Sequence, residues 1–188
     1  MTDQDAGAGA TAAGTFTLGE DLVVNRLGFG AMRLTGWGIL GEPENPEEAC
    51  RVLRRAVELS VNLIDTADSY GPEISERLVA EALHPYPEDL VIATKGGFTR
   101  PRGRWVPDGH PEHLREACEG SLRRLKVNHI DLYQLHTPDP KIAFEDSVWA
   151  LALLREEGKI RHVGLSNVGV RELEIAIDIV PIASVQNR

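Results

Sequence analysis

Only two cysteines, an aromatic content of 5% and no long basic or apolar run set the first limits on this 188-residue chain. Cys50 and Cys118 each fall on a helix-patterned segment without metal-type spacing. Buried reduced thiols are therefore expected, not a disulfide, and they carry no functional message. No apolar window approaches the roughly 18 residues that cross a bilayer, so no membrane partner is expected. The charge of -9, from 29 acidic and 20 basic residues, includes no basic stretch that could neutralise a phosphate backbone. Nucleic acid is excluded on that ground. The opening MTDQDAGAGATAAG lacks both the basic start and the apolar centre of a secretory signal. It reads as a disordered tail over residues 1–14, ahead of one domain over 15–188, and a cytoplasmic location follows as the default.

What is present is a rhythm. TFTLGEDLVVN gives two short extended runs around Gly19 to Asp21, the pattern of a hairpin able to plug one end of a barrel. Thereafter β-rich runs alternate with helix-period segments. LGFGAM precedes a helix from Glu47, NLID one from Ser75, LVIATK one from Glu112, HIDLYQLH one from Phe144 and IRHVGLS one from Val170, with IASVQN last. Asn45, Pro46, Glu47 and Glu48 supply an N-cap, a first-turn proline and carboxylates facing the helix dipole. Leu114, Ala117, Cys118, Ser121, Leu122 and Leu125 make one apolar stripe at helical spacing. Gly158 suits a left-handed helix end. Alternation of this length predicts an α/β fold with a parallel sheet, either doubly wound or closed as a barrel.

The strand ends favour the barrel. Asp65, Lys95, His136, Ser166 with Asn167, and Gln186 with Asn187 close five successive runs with polar side chains. Barrel enzymes gather their chemistry at those ends. A doubly wound nucleotide binder would instead concentrate its signal in a glycine-rich first turn, and Gly28-Phe29-Gly30 is followed by Arg33 where that motif needs glycine. Singly, each residue has a plain structural reading: Asp65 turning the chain, Lys95 solvated, His136 bonding backbone, Tyr70 packed on Pro72. Together they match what carbonyl reduction requires. Hydride addition builds charge on oxygen, and a positioned acid must supply a proton. Tyr70 can be that acid if a nearby ammonium, Lys95, lowers its pKa from about 10. Asp65 would keep the buried lysine charged, and His136 would orient the carbonyl. Trp37 and Trp105, in loops on the same side, are expected pocket walls.

These segments resemble the aldo-keto reductase family. NLIDTADSYG is similar to its first signature, VIATKGG to its lysine strand, DLYQLHTPDP to its histidine strand, and IRHVGLSN with VQN to its nicotinamide-binding strands. The resemblance implies a (β/α)8 TIM barrel with NADPH as cofactor, NADH being the variant choice, and a small carbonyl compound as substrate. It makes Asp65, Tyr70, Lys95 and His136 the catalytic tetrad. It gives Ser166, Asn167 and Gln186 the nicotinamide carboxamide, with Gly30, Ala31 and Met32 passing the cofactor beside Asp65. LVVNRLGFGAMRLTG and EALHPYPEDLVIATK are similar to a bacterial branch that includes pyridoxal reductases. The chain stops after its sixth barrel strand, so the units that carry the nicotinamide-stacking aromatic and the 2'-phosphate grip have no counterpart. The chain alone is expected to be inactive or to assemble abnormally.

Rival readings are a non-catalytic barrel remnant that binds or senses cofactor, and a Schiff-base lyase built on Lys95. The lyase needs an apolar pocket rather than an acid and a tyrosine beside the lysine. Gly164-Leu165-Ser166-Asn167-Val168 lacks the last glycine of a nucleophile elbow. His110, Glu112 and His113 sit at a helix start, so no metal is expected. The basic loop Arg100 to Trp105 either favours an anionic substrate or is solvated.

Overall fold

The computed structural model describes residues 9–187. The chain first forms an antiparallel hairpin, β1 (Thr15–Leu18) with β2 (Leu22–Asn25). It then alternates β3 (Phe29–Gly30), α1 (Pro46–Glu58), β4 (Leu63–Asp65), α2 (Ile74–Leu83) and β5 (Val91–Gly96). A small antiparallel ribbon follows, β6 (Phe98–Thr99) with β7 (Val106–Pro107). The alternation resumes with α3 (Pro111–Leu125), β8 (Ile130–Leu135), α4 (Phe144–Glu156), β9 (Ile160–Ser166), α5 (Val170–Ile177) and β10 (Ile182–Gln186). Six strands form one sheet in the order β10-β9-β8-β5-β4-β3, every pair parallel. Each strand lies beside its predecessor in the sheet and the order never reverses. That is the topology of a curling barrel wall, not of a doubly wound sheet.

The strand period of two sorts side chains onto two faces. One parity, with Ile64, Ile92, Tyr133, Leu135, Val163 and Leu165, packs under the helices. The other, with Leu63, Val91 and Leu132, meets Leu18, Leu22 and Val24 of the hairpin. The hairpin therefore plugs the end of the barrel where the strands begin. Each apolar side chain taken wholly out of water there stabilises the fold by roughly 1.5–3 kcal/mol.

Local rules explain the elements. The Asn45 side chain accepts from the Glu48 amide at 3.0 Å, with Pro46 opening α1. In α3 the stripe buries Leu114, Cys118, Ser121 and Leu125. Gly158 takes φ 73° between α4 and β9. A buried ion pair fastens the helix layer: the Arg124 Nε donates to Glu76 at 2.6 Å, and the Thr94 hydroxyl donates to the other carboxylate oxygen at 2.6 Å. Both cysteines are buried and free.

Three expectations change. Of the tail, residues 1–8 lie outside the described residues, while Ala10–Ala13 form a 3-10 turn, with Ala10 buried and its amide on the Leu59 carbonyl at 2.7 Å. The small side chain of Ala10 lets the backbone reach that helix end. LGFGAM is extended only at Phe29–Gly30, because Ala31–Leu34 coil into a 3-10 turn that drops Ala31 and Leu34 into the core. The ribbon β6–β7 sits in what was read as plain loop. Among the described residues no helix is long and apolar enough to cross a membrane.

A Cβ at Gly96 would run into the Tyr133 hydroxyl oxygen, inside a packed wall. Gly96→Ala should therefore cost about 1–3 kcal/mol by overpacking. The Tyr133 hydroxyl is buried without a hydrogen-bond partner, so Tyr133→Phe alone should be close to neutral and should recover part of the Gly96→Ala loss. Urea midpoints of the two single variants and the double variant measure both effects.

Candidate active site

At the carboxyl ends of the strands, a cavity of about 710 Å3 is lined by Gly30, Met32, Asp65, Tyr70, Trp105, His136, Ser166, Asn167 and Gln186, with Arg33, Ile39, Phe98, Thr137 and Asn187. Beneath it lies a buried ion pair. The Lys95 side chain is 1% exposed, and its Nζ donates to both oxygens of Asp65 at 2.7 and 2.8 Å and to the Thr66 carbonyl at 2.9 Å. All three ammonium protons thus have acceptors. Gln134 from β8 donates to the same carboxylate at 3.2 Å, and Gln186 from β10 at 3.3 Å.

Tyr70 stands over this pair, with the Lys95 Nζ 5.4 Å from its ring centroid. The His136 ring is 5.6 Å from that of Tyr70, edge to face. Phe98 and Trp105 close the aromatic wall, at 4.8 and 6.0 Å from the His136 ring. Burial, with the Lys95 charge adding to it, pushes the His136 pKa down to about 3, so the imidazole is neutral. The phenol departs from expectation. Burial holds the Tyr70 pKa above its ordinary value, and the Asp65 and Asp68 carboxylates push the same way. The expected depression by Lys95 fails because Asp65 spends that charge at contact distance. Burial also pulls the Lys95 pKa below its ordinary value, against the opposing pull of Asp65.

Asn167, at φ 58°, donates from Nδ2 to the His136 carbonyl at 2.9 Å and to the Ser166 hydroxyl oxygen at 3.0 Å. Its Oδ1 is thereby left as an acceptor. Asn187 instead clamps both backbone groups of Val168, at 3.1 and 2.7 Å. Two expected residues sit elsewhere. Ala31 is wholly buried, its carbonyl accepting from the Ser75 hydroxyl at 3.3 Å, so it is core and not cavity wall. Trp37 is 99% exposed and lines nothing here, because its loop turns outward through the left-handed Gly38 and Ile39. Arg102 and Arg104 of the basic loop are exposed, whereas the half-buried Arg100 guanidinium is tied down rather than free for an anion. It donates to the carbonyls of Gly38, Ile39, Ser69 and Gly103 and stacks 3.7 Å from the Trp105 ring centroid.

Sequence reasoning passed over Gln134, Phe98 and Ser69. Gln134 had a signal, a polar residue two before His136 on an apolar strand and hence on its face. Ser69 bonds His136 Nδ1 at 3.2 Å, a contact across 67 positions that no local pattern announces.

Residues 26–188 match the aldo/keto reductase family. An uncharacterized oxidoreductase of Schizosaccharomyces pombe is 52% identical over 95% of this chain and 58% of its own length. Pyridoxine 4-dehydrogenase of Escherichia coli is 41% identical over 92% of the chain and 63% of its own. Among solved structures, a glycerol dehydrogenase of Gluconobacter oxydans superposes with a TM-score of 0.85 at 34% identity, covering 94% of this chain and 55% of that one. An aldo/keto reductase of Klebsiella pneumoniae, solved with NADP and acetate, gives 0.71 at 26% identity over 88% of this chain and 54% of that one.

Two buried groups oppose each other in the pH dependence of stability. His136 titrates near 3 in the fold, against 6.5 ordinarily, so its contribution is complete above 6.5 and is lost as pH falls toward 3. Burial, with Glu76 adding to it, raises Asp68 from 3.8 to about 8, so its contribution is lost as pH rises between those values. Between pH 4 and 6.5, His136→Gln should leave stability falling with pH, and Asp68→Asn should leave it rising. Each slope is at most about 1.4 kcal/mol per pH unit. Denaturant midpoints across that window check both signs.

Proposed function

The chain belongs to the aldo/keto reductase family, and from that premise we propose that it is an oxidoreductase reducing aldehydes or ketones to alcohols, with Tyr70 as proton donor. The observation that carries the reading is the Lys95–Asp65 pair under the Tyr70 ring, with neutral His136 on the same cavity. A carbonyl oxygen held there would face two donors, the phenol and the imidazole N–H. The raised pKa keeps the phenol protonated at neutral pH. The alkoxide formed when hydride reaches carbon is a far stronger base than phenolate, so it can take that proton even so. Lys95 sits close enough to stabilise the phenolate as it forms. The walls of Phe98 and Trp105 keep the two donors dry, which strengthens both.

The cavity has groups fit for a nicotinamide. Gly30 has open space where a Cβ would stand, giving a flat wall. Ser166, Asn167 and Gln186 lie together on the opposite side, offering the mixed acceptors and donors that a carboxamide requires. NADPH is the cofactor we assign, with NADH as the variant choice, on the strength of the NADP carried by the Klebsiella structure. Its part is to supply hydride. The similarity to pyridoxine 4-dehydrogenase makes pyridoxal, a flat aromatic aldehyde suited to the Phe98 and Trp105 walls, the first substrate to test. Arg100 is spent on four carbonyls, so no anionic group on the substrate is required.

Oxidation of NADPH with a panel of aldehydes, pyridoxal included, by the protein completed to the length of its relatives, of which this chain spans 58–63%, tests the assignment. Tyr70→Phe should lower turnover by about 10^2- to 10^4-fold, while NADPH still quenches tryptophan fluorescence as in the unmodified protein. Undiminished turnover in Tyr70→Phe would remove Tyr70 as the donor.

A further inference from the structure

Gln134 is an amide only 2% exposed in the barrel interior, on the strand face that otherwise carries Leu132. Its Nε2 donates to Asp65 Oδ1 at 3.2 Å, and its Oε1 accepts from the Ser184 hydroxyl at 3.5 Å. Among the described residues these two contacts meet a group able to make four hydrogen bonds. On stability alone a methionine of the same shape would serve the site as well, because it has no polar atoms to satisfy. The amide therefore calls for another reason.

Its neighbours supply one. Lys95, Gln134, Gly164 and Ser184 are register partners on the adjacent strands β5, β8, β9 and β10, so they form one layer across the sheet. Gly164 stands between the two polar side chains. A Cβ there would come within 2.5 Å of the Ser184 hydroxyl oxygen and 2.8 Å of the Gln134 Cγ. The bare position on β9 is what lets the hydroxyl of β10 reach the amide of β8. The direction of that amide is fixed as well. Asp65, engaged by Lys95 through both oxygens, offers only acceptors, so the Gln134 nitrogen has to face it and the amide oxygen has to face Ser184.

The Asp65 side chain is 21% exposed and lines the cavity, so its carboxylate has water to turn toward. Gln186 restrains Oδ2 at 3.3 Å, but from an exposed position where water can take its place. Gln134 restrains Oδ1 from a buried one. We infer that Gln134 is a positioning residue that holds the Asp65 carboxylate turned toward Lys95, and that Gly164 leaves the room in which Ser184 seats the far end of its amide. Released from that bond, Asp65 would turn to the cavity more often, and the buried ammonium would open to water each time. The inference gives Asp65 and Lys95 the posture that the proposed reduction uses, and it rests on that reading only for its effect on turnover.

Its first test needs neither cofactor nor substrate. The lysines of this chain are Lys95, Lys126, Lys141 and Lys159, and replacing the last three by arginine, one at a time, assigns the remaining 15N ammonium signal to Lys95. Gln134→Met, which keeps the shape and removes the donor, should speed exchange of the Lys95 ammonium protons with water by about 10- to 100-fold, the weight of one hydrogen bond to a charged group. Ser184→Ala, which frees only the far end of the amide, should give a smaller rise. Gln134→Glu can donate to Asp65 only while the introduced carboxyl is protonated, because two ionised carboxylates at that distance repel. Its exchange should match that of the unmodified chain at low pH and exceed it, at equal pH, once that carboxyl ionises. A group that merely filled space would show no such dependence. Exchange unchanged in Gln134→Met, or a Gln134→Glu ratio indifferent to pH, would overturn the inference, and exchange unchanged in Ser184→Ala would strike Ser184 from it. In the protein completed to the length of its relatives, Gln134→Met should lower kcat and leave KM for the aldehyde unchanged. If exchange responds and kcat does not, the positioning stands and the part of Lys95 in the reduction fails.

Discussion

The ammonium group of a side chain only 1% exposed has to be met on every side, and Lys95 is met by Asp65 and the Thr66 carbonyl. Removing such a charge from water costs several kcal/mol, which only contact with a carboxylate and full hydrogen bonding offset. The requirement is geometric as well as energetic. Asp65 ends β4 and Lys95 stands one residue before the end of β5, and the same carboxylate collects Gln134 from β8 and Gln186 from β10. Four strands therefore converge on one pair of oxygens. The curl of the sheet and the floor of the cavity are fixed by the same set of bonds, so a change that loosens one shifts the other.

The parity of the strands lets a polar floor coexist with a dry core. On β8, Leu132, Gln134 and the following His136 face the barrel interior, while Tyr133 and Leu135 lie under the helices. A register slip of one residue would put Gln134 into the helix layer and Leu135 onto the carboxylate. The helix layer has a polar fastening of its own, Glu76 with Arg124 and Thr94. Asp68 and Ser69 occupy the boundary between these two polar systems, which is why a carboxyl there feels both the Lys95 charge and the Glu76–Arg124 pair.

The sequence carried the architecture because its signals were local and repeated. Helix starts fell within one residue of the structure wherever a cap, a first-turn proline or a stripe spoke for them, as at Asn45 and across Leu114 to Leu125. The polar strand ends could be read because a barrel gathers such ends into one cavity whatever the details of its loops. Loop conformation could not be read. Trp37 points to solvent because Gly38 and Ile39 take positive φ, and Arg100 folds back onto four carbonyls contributed by three separate loop segments. Neither outcome leaves a periodic trace. The Tyr70 phenol misled for a different reason: residue types gave the neighbouring charges, but burial outweighed them, and burial is a property of the whole fold.

That imbalance bears on how such a site could work. A charge that appears on a carbonyl oxygen during the proposed reduction would find the Lys95 charge already met by Asp65, so Lys95 cannot act on it as a free cation. What remains is a pair of neutral donors, Tyr70 and His136, set in an aromatic enclosure of Phe98 and Trp105. Neutral donors gain most from exclusion of water, because nothing competes for the developing charge and no ion must be desolvated first. On this argument the aromatic walls matter as much as the ion pair. In the proposed reduction the pair fixes the floor beneath the Tyr70 ring, and the walls would give the donors' hydrogen bonds strength.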